Sequence, residues 1–103
     1  MMPHRDYRAA LINDLRDDAE ERHAYLEEAF AEYDRDGDTA ALLLALRTVA
    51  EAQGGIGRLA KATDVRRQTL HKALSAAGNP RLNTVGAILR GLGYRIALEP
   101  VDR

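Results

Sequence analysis

The sequence predicts an all-α chain of five to six helices closed by one short C-terminal strand. Three observations predict it. Apolar residues recur at three and four over most of the chain, Gly and Asp clusters divide that pattern into short blocks, and only the segment "YRIALEP" alternates apolar with polar. At 103 residues the chain fits a single domain, 1–103. Within it lie an acidic helical segment (1–37), a helical core (38–93) and a terminal strand (94–100).

The first block, "YRAALINDLRD", sets Leu11, Ile12 and Leu15 on one side of a short helix. From Asp17 to Tyr33 the apolar set Ala19, Tyr25, Leu26, Ala29, Phe30 and Tyr33 leaves Glu20, Glu21, Glu27, Glu28 and Glu32 outside, as in an amphipathic surface helix. After the break at "DRDGD", Asp38 or Thr39 is placed to cap a core helix carrying Leu42, Leu43, Leu46 and Val49. Gly54 and Gly55 end that helix, and "IGRLAKAT" follows as a short one.

The next stretch, "LAKATDVRRQTLHKAL", reads as two short helices meeting at a steep angle. Such a crossing needs a small residue, Ala60, and a turn residue that tolerates left-handed backbone, a role left to Asp64. Val65, Leu70, Ala73 and Leu74 then face the core. Arg66, Arg67, Gln68, Thr69, His71 and Lys72 project outward. A turn at "AAGNPRLN" precedes a last helix that Asn83 or Thr84 would cap and that ends near Gly91 to Gly93, burying Val85, Ile88, Leu89 and Leu92.

In the tail, Tyr94, Ile96 and Leu98 fall on one side and Arg95, Ala97 and Glu99 on the other, until Pro100 stops the alternation. A lone strand leaves its backbone groups unpaired. A second copy of the same strand would satisfy them, so the expected assembly is a homodimer with the two tails antiparallel across a two-fold axis, through Tyr94, Ile96 and Leu98.

Net charge is only −1, but its distribution is uneven. Residues 1–53 hold 6 Arg and 13 acids, net −7, whereas residues 54–103 hold 9 basic residues and 3 acids, net +6. Such asymmetry suits a chain that turns one face to nucleic acid and another to a protein or to solvent. A helix fits the major groove of B-DNA, where Arg and Lys reach guanine, Gln pairs with adenine and Thr touches base or phosphate. The projecting residues from Arg66 to Lys72 have those types, while Arg58, Lys61, Arg81, Asn83 and Thr84 lie near helix ends or turns, where phosphates are gripped. Double-stranded DNA is the expected partner. The same residues also fit two ordinary amphipathic helices with a solvated basic face.

From Leu26 onward, and above all in "ALRTVAEAQGG", "TLHKALS", "GNPRLNT" and "LGYRIALEP", the sequence resembles the addiction-module antidote (antitoxin) proteins of the lambda-repressor-like, XRE-type helix-turn-helix class. The resemblance implies a bacterial antitoxin that neutralises a small toxin, commonly of the ribonuclease or gyrase-poison superfamily, and represses its own promoter as a dimer. It carries DNA contact to Arg66, Arg67, Gln68, Thr69, His71 and Lys72. Two positions depart from the family pattern. Asp64 stands where Gly is usual, and Arg66 where Ser or Thr usually caps the recognition helix, which leaves Asp64 as the substitute cap.

The toxin-facing surface is marked only by the acidic helix, whose glutamates suit a basic toxin and whose Tyr25, Leu26, Phe30 or Tyr33 could anchor it. The same pattern equally describes a solvated face over core aromatics.

Other chemistries find little support. "DRDGDTAALLLA" places acids like a calcium loop, but Gly falls at the fourth position and Ala45 replaces the bidentate Glu. His4, His23 and His71 are far apart, with no zinc spacing, and His23 and Glu27 read as a surface contact one turn apart. "GGIG" lacks the Lys and hydroxyl of a P-loop, and no Ser lies in a nucleophile elbow. Neither an enzyme, a metal nor a cofactor is expected. With no Cys, no membrane span and a start too charged for a secretory signal, the cytoplasm is the expected location. Two other functions remain open: a helix-turn-helix regulator without a toxin, and a protein-binding helical adaptor.

Overall fold

The computed structural model describes residues 4–102, with residues 4–6 as backbone only. The ends of the expected 1–103 domain, and the side chain of His4, lie outside the described residues. Six helices form among the described residues: α1 His4–Arg16, α2 Ala19–Asp36, α3 Thr39–Ala52, α4 Ile56–Thr63, α5 Arg67–Ala73 and α6 Leu82–Leu92. None is long and apolar enough to cross a membrane.

The amino-terminal half is a three-helix layer built on α3. That helix starts where Asp38 accepts a bond from the Ala41 N–H at 3.1 Å, so of the two expected caps Asp38 serves. Its apolar stripe Leu43, Leu46, Val49 and Ala50 is buried, with Leu42 half-buried. Asp18 caps α2, which runs on past Tyr33 to Asp36 because nothing breaks the helix before Gly37, at φ 67°. Two arginines tie α1 down. Arg8 donates to Thr48 Oγ1 at 2.7 Å and to Glu51 at 3.1 Å, and Arg22 donates to the Leu15 and Arg16 carbonyls at 2.8 and 2.9 Å. The second arginine thereby satisfies carbonyls that the end of α1 leaves without helical partners.

The turn after α3 follows the sequence expectation. Gly54 and Gly55 take φ of 110° and 96°, and the Gly55 N–H bonds back to the Ala50 carbonyl at 2.8 Å, the 6→1 bond of a Schellman end. Chain reversal there delivers α4 against the core through Ile56 and Leu59. Ala60, expected at a helix crossing, is half-buried and packs on the core. Helix α4 also meets α6 closely: a Cβ on Gly91 of α6 would stand 2.5 Å from Thr63 Cγ2 and 2.7 Å from Leu59 Cδ1 of α4. Only a residue without a side chain lets these two helices close to that distance.

Two expectations are corrected. Neither Asn83 nor Thr84 caps α6; both lie inside its first turn, and the cap position is Arg81, which makes no side-chain capping bond. No strand forms among the described residues. The tail 94–102 is neither helical nor paired in a ladder with any other described segment. Tyr94, assigned to a dimer face, is half-buried, packs on the core and stacks near His23 with ring centroids 5.9 Å apart. Its N–H bonds to the Leu89 carbonyl at 2.8 Å around Gly93, so the Schellman end of α6 turns it inward.

Candidate nucleic-acid interface

The α4–turn–α5 unit is set by three residues between the helices. Asp64 adopts φ 59° and ψ 13°, the left-handed geometry expected of it, as the C-cap of α4. It does not cap α5: the cap position is Arg66, with no side-chain bond. Thr63 supplies the local polar contact, donating to the Leu59 carbonyl at 2.8 Å and accepting from the Val65 N–H at 3.2 Å. Helix α5 then seats Leu70, Ala73 and the following Leu74 in the core, at 0, 6 and 2% exposure, with Val65 half-buried beside them.

That seam decides the direction of everything else on α5. Arg66, Arg67, Gln68, Thr69, His71 and Lys72 are all exposed. Arg67 leans back over α4, its guanidinium carbon 3.7 Å from where a Cβ on Gly57 would lie. Arg58 and Lys61 of α4 are exposed, as are Arg81 and Asn83, while Thr84 is half-buried. Arg58 lays its stem over Gly54, whose Cβ would stand 2.7 Å from Arg58 Cδ. Sequence reasoning missed two cations here. Arg16 and Arg22 come from the acidic half, yet they line one cavity of about 370 Å³ with Arg58, Gln53 and Gly55. No local signal reveals this, because the end of α1 and the start of α4 meet only through tertiary packing.

The charge division of the sequence is also a division of ion pairs. Arg8–Glu51, Arg47–Glu51, Arg35–Glu28 and the long, exposed His23–Glu27 contact at 3.8 Å all fall within residues 1–53. Among the described residues no cation beyond residue 53 is engaged by a carboxylate. The basic side of the molecule is left with its charge uncompensated, the condition under which a surface attracts polyanions.

Away from α4 and α5, which contribute no lining residue, α2 and α3 enclose a groove of about 170 Å³ with Tyr25, Ala29, Tyr33 and Leu42 in its lining and Glu28, Glu32, Asp36 and Asp38 around it. Of the four aromatic and aliphatic anchors named from sequence, Tyr33 is 40% exposed, Tyr25 and Phe30 are half-buried against the core, and Leu26, at 4%, is core. Glu20, Glu21, Glu27, Glu28 and Glu32 are exposed. Two Asp residues of the calcium-like loop serve local backbone bonds, Asp36 accepting from the Asp38 N–H at 2.9 Å and Asp38 capping α3 from Ala41.

One left-handed residue offers a check on the turn. Asp64→Gly removes the Cβ that disfavours φ 59° and is expected to raise stability by up to about 1 kcal/mol, measured by the urea midpoint. A loss of stability would mean that the Asp64 carboxylate contributes more than its backbone costs.

The family model for probable addiction module antidote proteins matches residues 9–100. No curated protein and no solved structure matches the chain.

Proposed function

The chain belongs to the probable addiction module antidote protein family, and from that premise we propose that it is an antitoxin that also binds operator DNA as a dimer and represses its own operon. The observation that carries the DNA reading is the exposed row on α5, held outward by Leu70, Ala73 and Leu74. In this reading α5 enters the major groove, where Arg66, Gln68, Thr69, His71 and Lys72 meet base edges. Arg67, lying back over Gly57, joins Arg58, Lys61, Arg81, Asn83 and Thr84 in holding phosphates, which fix register without reading sequence.

The toxin is engaged on the acidic surface of α2 and α3. Exposed Tyr33 and the groove beneath it, rimmed by Glu28, Glu32, Asp36 and Asp38, suit a basic partner with an apolar side chain to bury. Two copies join through their tails, where Ile96 and Leu98 are 54 and 93% exposed in the single chain.

The test is titration of the upstream region of its own operon at several salt concentrations. Affinity is expected to fall steeply with salt, because each phosphate neutralised releases counterions. A flat response would favour a protein-binding adaptor. Retained DNA binding without any toxin gene alongside would favour a regulator acting alone.

A further inference from the structure

The dimer contact can be specified to the residue, an inference that rests on the tail pairing proposed above. In the single chain, Tyr94 turns inward and Ile96 follows it onto α6, its Cδ1 4.0 Å from where a Cβ on Gly86 would lie. The tail turns Tyr94 and Ile96 inward, and continued as a strand it would carry Leu98 on the same face. Beyond Ile96 that face has nothing beneath it: Leu98 is 93% exposed, and on α6, one turn before Gly86, Leu82 is 77% exposed. Residues 95–102 make no backbone hydrogen bond among the described residues.

A two-fold axis normal to a two-stranded ribbon keeps the same face of both strands on the same side. Only registers in which the numbers of opposed residues sum to an even value meet that condition, and they place a residue on the axis against itself. Arg95 or Glu99 on the axis would oppose like charges. Ile96 on the axis sets Arg95 against Ala97, and Leu98 on the axis sets Glu99 against Ala97, so each leaves both ionic side chains without an opposite charge directly across the ladder. Ala97 on the axis sets Arg95 opposite Glu99 twice on the outer face and Ile96 opposite Leu98 twice on the inner face.

We propose that a second copy of this chain docks on the tail in the register centred on Ala97, with Arg95–Glu99 pairs outside and Ile96–Leu98 pairs inside. The exposed Leu98 of each copy then joins Ile96 of the other above that copy's α6, toward Leu82. This explains why the apolar side chains left bare in the carboxy-terminal part gather on the tail and the adjoining turn of α6.

The chain has no cysteine, so single thiols report the register directly. Ala97→Cys, Ile96→Cys and Leu98→Cys are oxidised separately, and the last two also as a mixture. Disulfides need Cβ atoms about 3.5–4.5 Å apart, so Ala97→Cys is expected to crosslink fastest alone, and the mixture to favour the Ile96–Leu98 heterodimer. Arg95→Glu or Glu99→Arg alone should raise the dimer dissociation constant roughly threefold to tenfold, since two cross-strand pairs are lost, and the double reversal should restore it. If the parent chain is a dimer by mass but Ile96→Cys or Leu98→Cys self-links faster than Ala97→Cys, or the double reversal fails to restore association, the register is overturned alone. A monomeric parent overturns the dimer reading with it.

Discussion

Leu70→Ala is expected to lower stability by about 2–5 kcal/mol, the largest effect of any alanine substitution on α5. Leu70 is 0% exposed, and it sits between the exposed residues proposed to meet DNA, Arg66 at the cap position and five on α5 itself. A helix of seven residues has little intrinsic stability, so α5 exists because Leu70, Ala73 and Leu74 join the hydrophobic core and the helix packs against α4. Removing the leucine leaves a cavity beneath the ridge. A domain of this size is typically stable by only about 5–15 kcal/mol, so the loss is a large fraction of the whole. Chemical denaturation gives the stability, and DNA titration well below the midpoint gives the second readout. Hydrogen exchange should rise first in the amides of α5. A change below about 0.5 kcal/mol would mean that Leu70 is not seated as described and that the ridge is oriented by something else.

What was legible in the sequence is what local chemistry decides. The bounds of α4, the left-handed Asp64 and the outward set on α5 follow from apolar spacing, from Gly54–Gly55 and from the need for a break between two helices. Errors arose where a side-chain preference competed with tertiary placement. Asn83 and Thr84 are good capping types, yet α6 begins at Leu82, because burial of Ile88, Leu89 and Leu92, with Val85 packed beside them, fixes its phase. Arg66 holds a cap position with no capping bond, and Thr63 of the preceding helix makes the polar contact of the turn instead. Long-range features left no trace in any short window. Gly91 reads as a helix end, and its closeness to Leu59 and Thr63 emerges only when α6 lies across α4. Arg16 and Arg22 read as members of an acidic segment, and packing alone brings them beside Arg58. The alternation of "YRIALEP" leaves Tyr94 and Ile96 on the inner side, but no strand forms among the described residues, and the residues from 95 to 100 are exposed.

Replacing Arg66, Arg67 and Lys72 together by Ala is expected to abolish sequence-specific DNA binding, a loss of roughly 10³-fold or more, while leaving fold and toxin neutralisation in place. The three side chains are exposed, engage no carboxylate among the described residues and lie outside the Leu70–Leu74 seam, so stability should change by no more than about 0.5 kcal/mol for each. DNA affinity, in contrast, loses both reading and counterion release. The slope of log affinity against log salt should become shallower by about one for each phosphate contact removed, and Arg67, lying over Gly57 at the start of α4, is the one expected to contribute most to that slope. Arg67→Ala by itself should then weaken all sequences alike, whereas Gln68→Ala should relax discrimination at one base position by roughly 1–3 kcal/mol. Toxin neutralisation is the discriminating control. The proposed toxin surface, α2 with its groove against α3, draws none of its residues from α4 or α5, and the ion pairs of the described residues are confined to the half that carries it. Separate surfaces predict separable losses. A triple variant that folds but loses toxin binding together with DNA binding would show that the basic ridge itself receives the toxin, and that the two partners compete for one face.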